Sequence, residues 1–472
     1  MTCWGRCVAV VWLGVLGCAE AAPAEVSHKS LALEPSDSAR EWGPPVTVDH
    51  DELGSAFSPA IAAIGGGVAV AAWYQYDGPR PGDPEDHYNV WSSQWLAGPA
   101  WGAPTPIQRG HWSWDDLYMT GTRHGTAVLG LHEPSEKFTE ARISAMAFDG
   151  RRWGAPTLLL NRIHDRGGPM RTVFVGARSG QTFLQQTDGR GSFGVAVMSE
   201  HFDGAEWRRR PFLGEWMWMW HEAADVAIDD AGHVLAAWGE TQEDPWSEDP
   251  SPPPTVVQVS ELGPADERWA EPVVLDAFVG ATYYYSSHAA VALSPDGQRG
   301  LATWQGLQTL RFSRYEPSAG WSRAREVPFD SAIDELEVDA AGNALTLGVR
   351  DGALFAARYD WAIDAWRDLG IIAAATSDDM DRLPPLAELS FASEPGGNAV
   401  AAWTQCDVGK YRAAWVAHYT PSGGWDSPSA LDPTARYEAG SPRVAIDEEG
   451  SAFAIWQQRT GKRVDIRARR YD

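Results

Sequence analysis

The stretch Val226–Trp238, V-A-I-D-D-A-G-H-V-L-A-A-W, decides the fold of this chain. It predicts a strand, a tight turn at Asp229–Gly232 and a second strand that ends at Trp238. An Asp side chain accepts hydrogen bonds from backbone N–H groups just after it, and Gly supplies the positive φ that closes such a turn. Both faces of the second strand are apolar, so neighbouring layers must cover both of them. The stretch therefore predicts a β-hairpin inside a layered all-β fold.

The same hairpin recurs along the chain. Four further copies end in Trp: Pro59–Trp73, Ala290–Trp304, Leu389–Trp403 and Val444–Trp456. Three weaker copies keep only the turn glycine or the turn sequence: Met119–Leu131, Val173–Gln185 and Leu336–Val349. A repeated unit of this kind buries its apolar faces by stacking against its neighbours.

A second element follows each hairpin and consists of a Trp, a few residues, often a Pro, and an aliphatic pair. Its Trp residues are 45 to 62 residues apart: Trp101, Trp153, Trp207, Trp269, Trp321, Trp366 and Trp425. Pro favours an outermost strand, where one edge has no partner. A period of about 40–50 residues with four strands per unit is typical of a β-propeller. The sequence predicts an all-β propeller of eight four-stranded blades, or seven if a degenerate copy is miscounted.

The two ends of the repeat region complement each other. Trp42–Val48 carries the Trp-Pro element with no hairpin before it, whereas Ser441–Asp472 supplies three strands and stops where a fourth should begin. We therefore expect the N-terminal strand to complete the last blade and close the ring, which hides the sheet edges. Residues 42–472 would then form a single propeller domain.

The first residues lie outside the repeats. Arg6 is followed by the apolar run Cys7–Leu16, which is too short to span a bilayer and predicts a signal peptide over residues 1–17. Residues 18–41 are polar and rich in Pro, Ser and acidic side chains, and they predict a flexible tether.

The end of the apolar run predicts how the chain is anchored. Val15-Leu16-Gly17-Cys18 resembles a bacterial lipobox, and the resemblance implies cleavage before Cys18 and lipidation of its thiol. Ordinary cleavage near Ala19–Ala22 is the alternative. Lipidation would anchor the exported chain to the bacterial cell envelope, at the outer membrane or the surface.

Composition limits the partners. The chain has 64 acidic and 38 basic residues, a net charge of −26, which argues against nucleic acid or anionic lipid as a partner. Membrane contact is then expected through the lipid anchor only. Lipidation of Cys18 would leave Cys406 without a disulfide partner, which a core of this size tolerates. We expect a monomer without a cofactor.

Blade topology predicts where a site would lie. Connections between four antiparallel strands alternate between two faces of the disc, so the Asp-x-x-Gly turns share one plain face. The long acidic links Asp77–His87 and Gly239–Pro254 fall on the opposite, loop-rich face, together with the aromatic crossovers His111–Asp116, Trp216–Glu222 and Tyr283–His288. Loops on a rigid scaffold commonly carry function.

The side chains in these crossovers predict a sugar-like ligand, because aromatic rings stack on a pyranose while polar groups bind its hydroxyls. The candidate ligand-binding residues are Trp112, Trp114, Asp115, Trp216, Trp218, Trp220, His221, Glu222, Tyr283, Tyr284, Tyr285 and His288. Packing is the alternative, since Trp216, Trp218 and Trp220 alternate with Met as in a strand that is buried on both sides.

The repeat resembles that of exported bacterial repeat-propeller lipoproteins and, more distantly, that of bacterial sialidases and lyases. The sialidase resemblance implies an arginine triad, a Tyr and acidic catalysts, to which Arg171, Arg443 and Tyr283–Tyr285 would correspond. The Arg-Ile-Pro motif and the Ser-x-Asp-x-Gly-x-Thr-Trp box of that family are absent, so no catalytic residue is assigned. Asp116 with Asp115 or Glu222 would serve as a carboxylate pair only at the right spacing.

Acidic stretches predict no metal site. Asp49–Glu52 and Asp83–His87 lack the spacing of a calcium loop, and no His-Glu-x-x-His or paired-Cys motif occurs. Three functions remain open. The favoured one is a binding module for a glycan or an envelope protein; the others are a glycan-acting hydrolase or lyase on the same scaffold and a structural component of an envelope assembly.

Overall fold

The computed structural model describes residues 40–50, 53–76, 88–96, 100–111, 117–134, 140–163, 170–189, 195–211, 213, 220–221, 225–241, 254–279, 289–307, 309–329, 333–374, 386–406 and 411–472. Within these ranges the regular secondary structure is entirely β and comprises 35 strands. They form eight antiparallel sheets, and Glu41–Asp472 is one compact unit.

The first half of the ring holds blades 1 to 4. Strand β1 (Val46–Thr47) precedes them and belongs to the last blade. Blade 1 contains β2 (Ala56–Ala63), β3 (Ala69–Tyr76), β4 (Tyr88–Trp95) and β5 (Thr105–His111). Blade 2 contains β6 (Tyr118–Gly121), β7 (Ala127–Pro134), β8 (Glu140–Phe148) and β9 (Thr157–Ile163). Blade 3 contains β10 (Met170–Gly176), β11 (Thr182–Gly189), β12 (Val195–Phe202) and β13 (Trp207–Arg210). Blade 4 contains β14 (Trp220–His221), β15 (Asp225–Ile228), β16 (Val234–Thr241), β17 (Pro254–Leu262) and β18 (Val273–Val279).

The second half holds blades 5 to 8. Blade 5 contains β19 (Ala290–Leu293), β20 (Gly300–Gln305), β21 (Leu310–Glu316), β22 (Gly320–Trp321) and β23 (Arg325–Glu326). Blade 6 contains β24 (Glu335–Val338), β25 (Ala344–Arg350), β26 (Ala353–Asp360) and β27 (Ala365–Ala373). Blade 7 contains β28 (Leu386–Ser393), β29 (Ala399–Cys406), β30 (Arg412–Thr420), β31 (Gly424–Trp425) and β32 (Ser429–Ala430). Blade 8 contains β33 (Ala439–Ile446), β34 (Ala452–Thr460) and β35 (Arg463–Tyr471), and β1 completes it.

The ring closes where the sequence predicts. Strand β1 pairs antiparallel with β35, with Val46 opposite Ala468, and Trp42 forms a further bridge to Tyr471. The carboxylate of Asp49 accepts a hydrogen bond from the N–H of Ile466 at 3.1 Å and pairs with Arg463 at 3.0 Å. The inner strands of successive blades contact each other, including those of blades 8 and 1. The structure is thus an eight-bladed β-propeller, as predicted.

The hairpin turns have the predicted chemistry. Oδ1 of Asp229 accepts hydrogen bonds from the N–H groups of Ala231 and His233 at 2.9 and 2.8 Å. The turn glycine Gly232 has φ +86°. The Asp447 turn of blade 8 repeats the pattern, and its Oδ2 also accepts a hydrogen bond from Gly67 of blade 1 at 2.8 Å. The turns therefore stabilise both their own hairpin and its junction with the next blade.

The core lies between the blades. The second strand of each blade is buried on both faces, and Trp73, Trp304, Trp403 and Trp456 near its end are almost fully buried. Three of these rings donate their indole N–H to a Gln two residues later: Trp73 to Gln75, Trp403 to Gln405 and Trp456 to Gln458. Close packing of this kind requires the small residues that alternate with them, such as Ala71 and Ala454.

The Trp-Pro element marks where each outer strand begins. Pro104, Pro156 and Pro272 directly precede β5, β9 and β18. A residue without an N–H is tolerated at this point because the outer strand has a partner on one edge only.

Three predicted connections are shorter than expected from the sequence. His111 of the predicted crossover His111–Asp116 belongs to β5. Gly239–Thr241 belongs to β16, and Pro254 begins β17, so the link between those strands covers only residues 242–253. Trp220 and His221 form β14, paired with Thr241 and Glu240, rather than part of a loop. Their backbones continue the inner edge of blade 4.

Candidate functional site: the central channel

The innermost strands of the eight blades surround a central channel with a volume of about 980 Å³. These strands are β2, β6, β10, β15, β19, β24, β28 and β33. Each of them ends at a hairpin turn, so the distance of a residue from its turn gives its depth in the channel. Residues at the same count before the turn lie at similar depth because the blades repeat.

Three blades place a charged residue at one depth. Asp225, Glu335 and Arg443 each stand four residues before their turn residue, which is Asp229, Asp339 or Asp447. The other five blades place uncharged residues there: Ala60, Tyr118, Val173, Ala290 and Ser390. At this depth, charged residues are therefore confined to blades 4, 6 and 8.

Glu337 occupies the next depth toward the turns, two residues before Asp339. Five of the equivalent positions are alanine: Ala62, Ala227, Ala292, Ala392 and Ala445. All five line the channel together with Glu337. Small residues are expected where eight strands converge, so Glu337 is the one large charged side chain at this depth.

Burial perturbs both glutamates. Burial, together with the nearby charges of Glu337, Asp225 and Asp334 and against that of Arg443, raises the pKa of Glu335 to about 8. The side chain of Glu337 is exposed to the channel, yet the surrounding protein raises its pKa to about 7. The charge of Arg178 lowers this pKa, and that of Asp225 raises it. Carboxyl groups with such pKa values exchange protons near neutral pH.

Asp225 and Glu335 differ in their hydrogen bonds although their positions are equivalent. Oδ2 of Asp225 accepts a hydrogen bond from the N–H of Val291 in the next blade, at 2.8 Å. Ser390 of blade 7 does the same for Val444 of blade 8. The carboxyl group of Glu335 accepts no hydrogen bond from the described residues, so it is available to a molecule in the channel.

Arg178 crosses the channel at its turn end. Its Nη2 donates to the carbonyl oxygen of Ser393 at 2.6 Å. Arg178 belongs to the turn of blade 3 and Ser393 to blade 7, which stand opposite each other in a ring of eight. Burial lowers the pKa of Arg178, and the carboxylates of Glu448, Glu337, Glu394 and Asp230 raise it.

The turn face is consequently not plain, contrary to the sequence expectation. Besides Arg178 it carries an ion pair between Arg123 and Asp230 at 3.7 Å. Backbone hydrogen bonds also link neighbouring turns, from Asp230 to Pro295 and from Ala340 to Pro395. The face thus combines junctions between blades with charged side chains that reach the channel.

The candidates predicted from the sequence lie mostly beyond the described residues. Ten of them are in undescribed segments: Trp112, Trp114, Asp115, Trp216, Trp218, Glu222, Tyr283, Tyr284, Tyr285 and His288. Trp220 and His221 have a described backbone only, in β14, and the same holds for Arg171 in β10. The predicted lipidation site Cys18 and Asp116 also fall outside. Of the residues matched to the sialidase resemblance, only Arg443 has a described side chain, and it faces Glu335.

The sequence contained a signal for the channel residues. Asp225, Glu335 and Arg443 directly precede the repeats quoted above, at Val226, Leu336 and Val444. Aligning the repeats one residue further upstream shows a charge where other blades have small or apolar residues. The sequence analysis did not select these residues, because the aromatic and acidic segments of the loop-rich face form the stronger compositional pattern.

The described ranges contain neither a metal-ligating cluster nor a membrane-spanning helix. There, no group of three or more His, Cys, Asp and Glu side chains is placed to hold a metal ion. The same ranges contain no helix long and apolar enough to cross a membrane.

Comparisons with known proteins give similarity of fold. No family model and no curated protein match the chain. Similar solved structures include the Dos1 propeller, with 8% identity over 92% of this chain and 95% of that chain and a TM-score of 0.48. A puromycin hydrolase has 14% identity, 85% and 58% coverage and a TM-score of 0.46. The Hadza microbial sialidase Hz136 has 10% identity, 70% and 73% coverage and a TM-score of 0.39.

Proposed function

We propose that this chain is an extracytoplasmic propeller, tethered to the cell envelope through Cys18, that binds a glycan or an envelope protein. The partner would contact the loop-rich face and extend into the central channel. The observation that carries the proposal is the set of ionisable side chains that line that channel, Asp225, Glu335 and Glu337. Arg443 of blade 8 acts on Glu335 electrostatically.

Burying these groups works against stability. A carboxyl group held where its pKa is raised costs folding free energy at neutral pH, and alanine fills the same depth in five other blades. A cavity with a few converging polar groups and perturbed pKa values is the usual form of a binding site. Ligand binding explains their presence better than packing does.

A glycan array combined with capture of envelope proteins tests this proposal. We expect wild-type protein to bind a partner and the variant Glu335→Gln/Glu337→Gln to bind it at least about tenfold more weakly. Glu326→Gln, which removes a charge on an exposed outer strand, serves as the matched control. Equal binding by the channel variant and the control would refute a role for the channel.

The aromatic residues predicted on the loop-rich face are tested separately. Trp114→Ala and Trp220→Ala should weaken binding of a glycan if aromatic stacking contributes, by about 1–3 kcal/mol in total. Unchanged binding would remove these residues from the site and leave the channel as its main part.

Hydrolysis is a second candidate, favoured by one observation. Glu335 has a pKa of about 8 and would be protonated at neutral pH, as a general acid must be. Glu337 lies two residues away on the same strand, so both side chains leave the same face of the sheet and would form the carboxylate pair. Assay of any bound glycan for turnover tests this, and activity that survives Glu335→Gln would exclude Glu335 as the acid.

The anchor has its own test. If Cys18 is lipidated, mass spectrometry of the exported protein should find it as the first residue, carrying acyl chains, and Cys18→Ala should release the protein from the membrane fraction. An unmodified N-terminus near Ala19–Ala22 would contradict the anchor and leave the binding proposal intact.

A further inference from the structure

One guanidinium group already occupies the turn end of the channel. Arg178 reaches across the ring to Ser393, and the carboxylates of Glu448, Glu337, Glu394 and Asp230 stabilise its charge. These acids come from four blades, so the assembled ring forms a site for a cation that no single blade possesses. The side chain of Arg178 shows which chemical group fits there.

The channel has more acidic groups than Arg178 and its neighbour Arg123 neutralise. Among the described residues, six acidic side chains line it: Asp225, Asp334, Glu335, Glu337, Asp447 and Glu448. The third cation, Arg443, acts on Glu335 from blade 8. An excess of carboxylates therefore remains in the part of the channel beyond Arg178.

Glu335 marks the place where a further cation fits. Its side chain is partly buried and lines the channel, and its carboxyl group accepts no hydrogen bond from the described residues. The equivalent carboxylate of Asp225 is engaged by Val291. A positively charged donor beside Glu335 and Glu337 would satisfy both carboxyl groups.

We propose that the channel binds an organic cation, an ammonium or guanidinium group, beside Glu335 and Glu337. The proposal rests on the binding function proposed above and names the chemistry of the group that enters the channel. An amino sugar and a Lys or Arg side chain share this chemistry, so the two sources must be separated by experiment.

Binding of a cation should release a proton. At neutral pH the glutamates are partly protonated, and an adjacent positive charge favours their ionised form. Glu335 faces Glu337, Asp225, Asp334 and Arg443, and Glu337 faces Arg178 and Asp225, so the proton comes from this coupled group. Affinity should rise with pH as the group ionises.

Isothermal titration calorimetry of the whole mature chain tests the inference. The probes are a glucosamine trimer with free amines and a tri-arginine peptide, with the N-acetylated trimer and a tri-citrulline peptide as neutral controls. Titration near pH 7 in phosphate and in Tris, buffers that differ in ionisation enthalpy, measures the protons released. We expect at least one cationic probe to bind about tenfold or more tightly than its neutral control, with net proton release.

Single variants show which carboxyl group binds the cation and releases the proton. Glu335→Gln should abolish most of the proton release and weaken binding about tenfold, whereas the exposed Glu326→Gln should change neither. Preference for the trimer or for the peptide identifies the source of the cation. If neither cationic probe binds, or if Glu335→Gln binds with unchanged proton release, the inference is wrong.

The outcomes separate this inference from the proposed function. Binding of a neutral glycan in the channel, lost in Glu335→Gln/Glu337→Gln, would refute the cation and keep the binding function. A second variant, Arg178→Ala, tests the neighbouring position at the turn end, which Arg178 fills in wild type. Methylguanidinium should raise the melting temperature of wild type by binding beside Glu335 and Glu337, and that of Arg178→Ala further because a second position opens. No shift in wild type would contradict the site beside Glu335 and Glu337, and equal shifts would contradict a cation position at the turn end.

Discussion

At the scale of single residues, the hairpin turns are stabilised by local contacts, whereas the channel carboxyl groups depend on distant residues. Asp229 accepts hydrogen bonds from backbone N–H groups of its own turn, and Gly232 adopts a positive φ, as the sequence D-D-A-G predicts. The environment of Glu335 depends on Asp225 and Arg443, which lie on other blades, so no local pattern specifies its pKa.

The turn glycine gives the first residue-scale prediction. Gly232→Ala places a Cβ at φ +86° and 2.9 Å from Oε1 of Gln181, so it should reduce the free energy of unfolding by about 1–2 kcal/mol. Gly102→Ala, at an ordinary φ and 3.5 Å from its nearest neighbour, is the control and should change it little. Chemical denaturation measures both, and equal effects would contradict a conformational requirement at Gly232.

The channel glutamates Glu335 and Glu337 give a second residue-scale prediction, which concerns the pH dependence of stability. Their pKa values are about 8 and 7, above the ordinary value of 4.5, so the folded state favours the protonated form. Their contribution to stability is therefore full at low pH and is lost as pH rises through about 7 to 8. Asp49, with a pKa raised to about 6 chiefly by burial, acts in the same direction.

Melting temperatures at about pH 5.5 and about pH 8.5 measure this effect. We expect Glu335→Gln/Glu337→Gln to melt with less pH dependence than wild type and to gain relative stability at the higher pH. Glu326→Gln should keep the wild-type profile. Parallel profiles for all three proteins would show that the channel carboxyl groups titrate normally.

At the scale of elements, the repeat predicted the hairpins and the outer strands because each has a short signature. It did not predict the one-residue bulges in the inner strands of blades 1, 7 and 8, where Ser58, Glu388 and Ser441 have positive φ. These residue types are not specific to bulges, and the distortion arises where strands approach the channel.

The Trp-x-Gln unit at the end of the second strand stabilises the preceding connection. Nε2 of Gln458 donates to the carbonyl oxygens of Tyr437 and Glu438 at 3.0 and 3.2 Å, and its Oε1 accepts from Trp456. Gln75 and Gln405 hold His50 and Ala374 in the same way. This arrangement therefore recurs in three blades and ties the segment that precedes each blade to the second strand of that blade.

Replacing the amide tests this role. Gln458→Leu leaves a buried indole N–H and two carbonyl groups without their partner and should cost about 1–3 kcal/mol of stability. Gln457→Leu, on the opposite and more exposed face, provides the matched control with a small effect. Equal destabilisation by the two substitutions would show that the hydrogen bonds of Gln458 contribute nothing specific.

At the scale of the whole molecule, the unpaired Trp-Pro element at one end and the missing strand at the other predicted closure. The structure confirms this through β1 and β35, and Asp49 with Arg463 reinforces the junction. The site was harder to predict than the ring, because a channel is a property of eight converging strands. The sequence predicted a site on the loop-rich face, where most of the candidate residues lie outside the described residues. Instead, Asp225, Glu335 and Glu337 line the channel, and Arg443 acts on Glu335 from blade 8.

The channel exists only while the ring is closed, so the candidate site depends on closure. The direct measurement compares the melting temperature of a chain that begins at Arg40 with that of one that begins at His50 and lacks β1. Loss of this strand exposes the edge of β35 and removes the Asp49–Arg463 pair, so we predict a marked fall in melting temperature or insoluble protein. The same melting temperature for both chains would contradict a ring that its first strand closes.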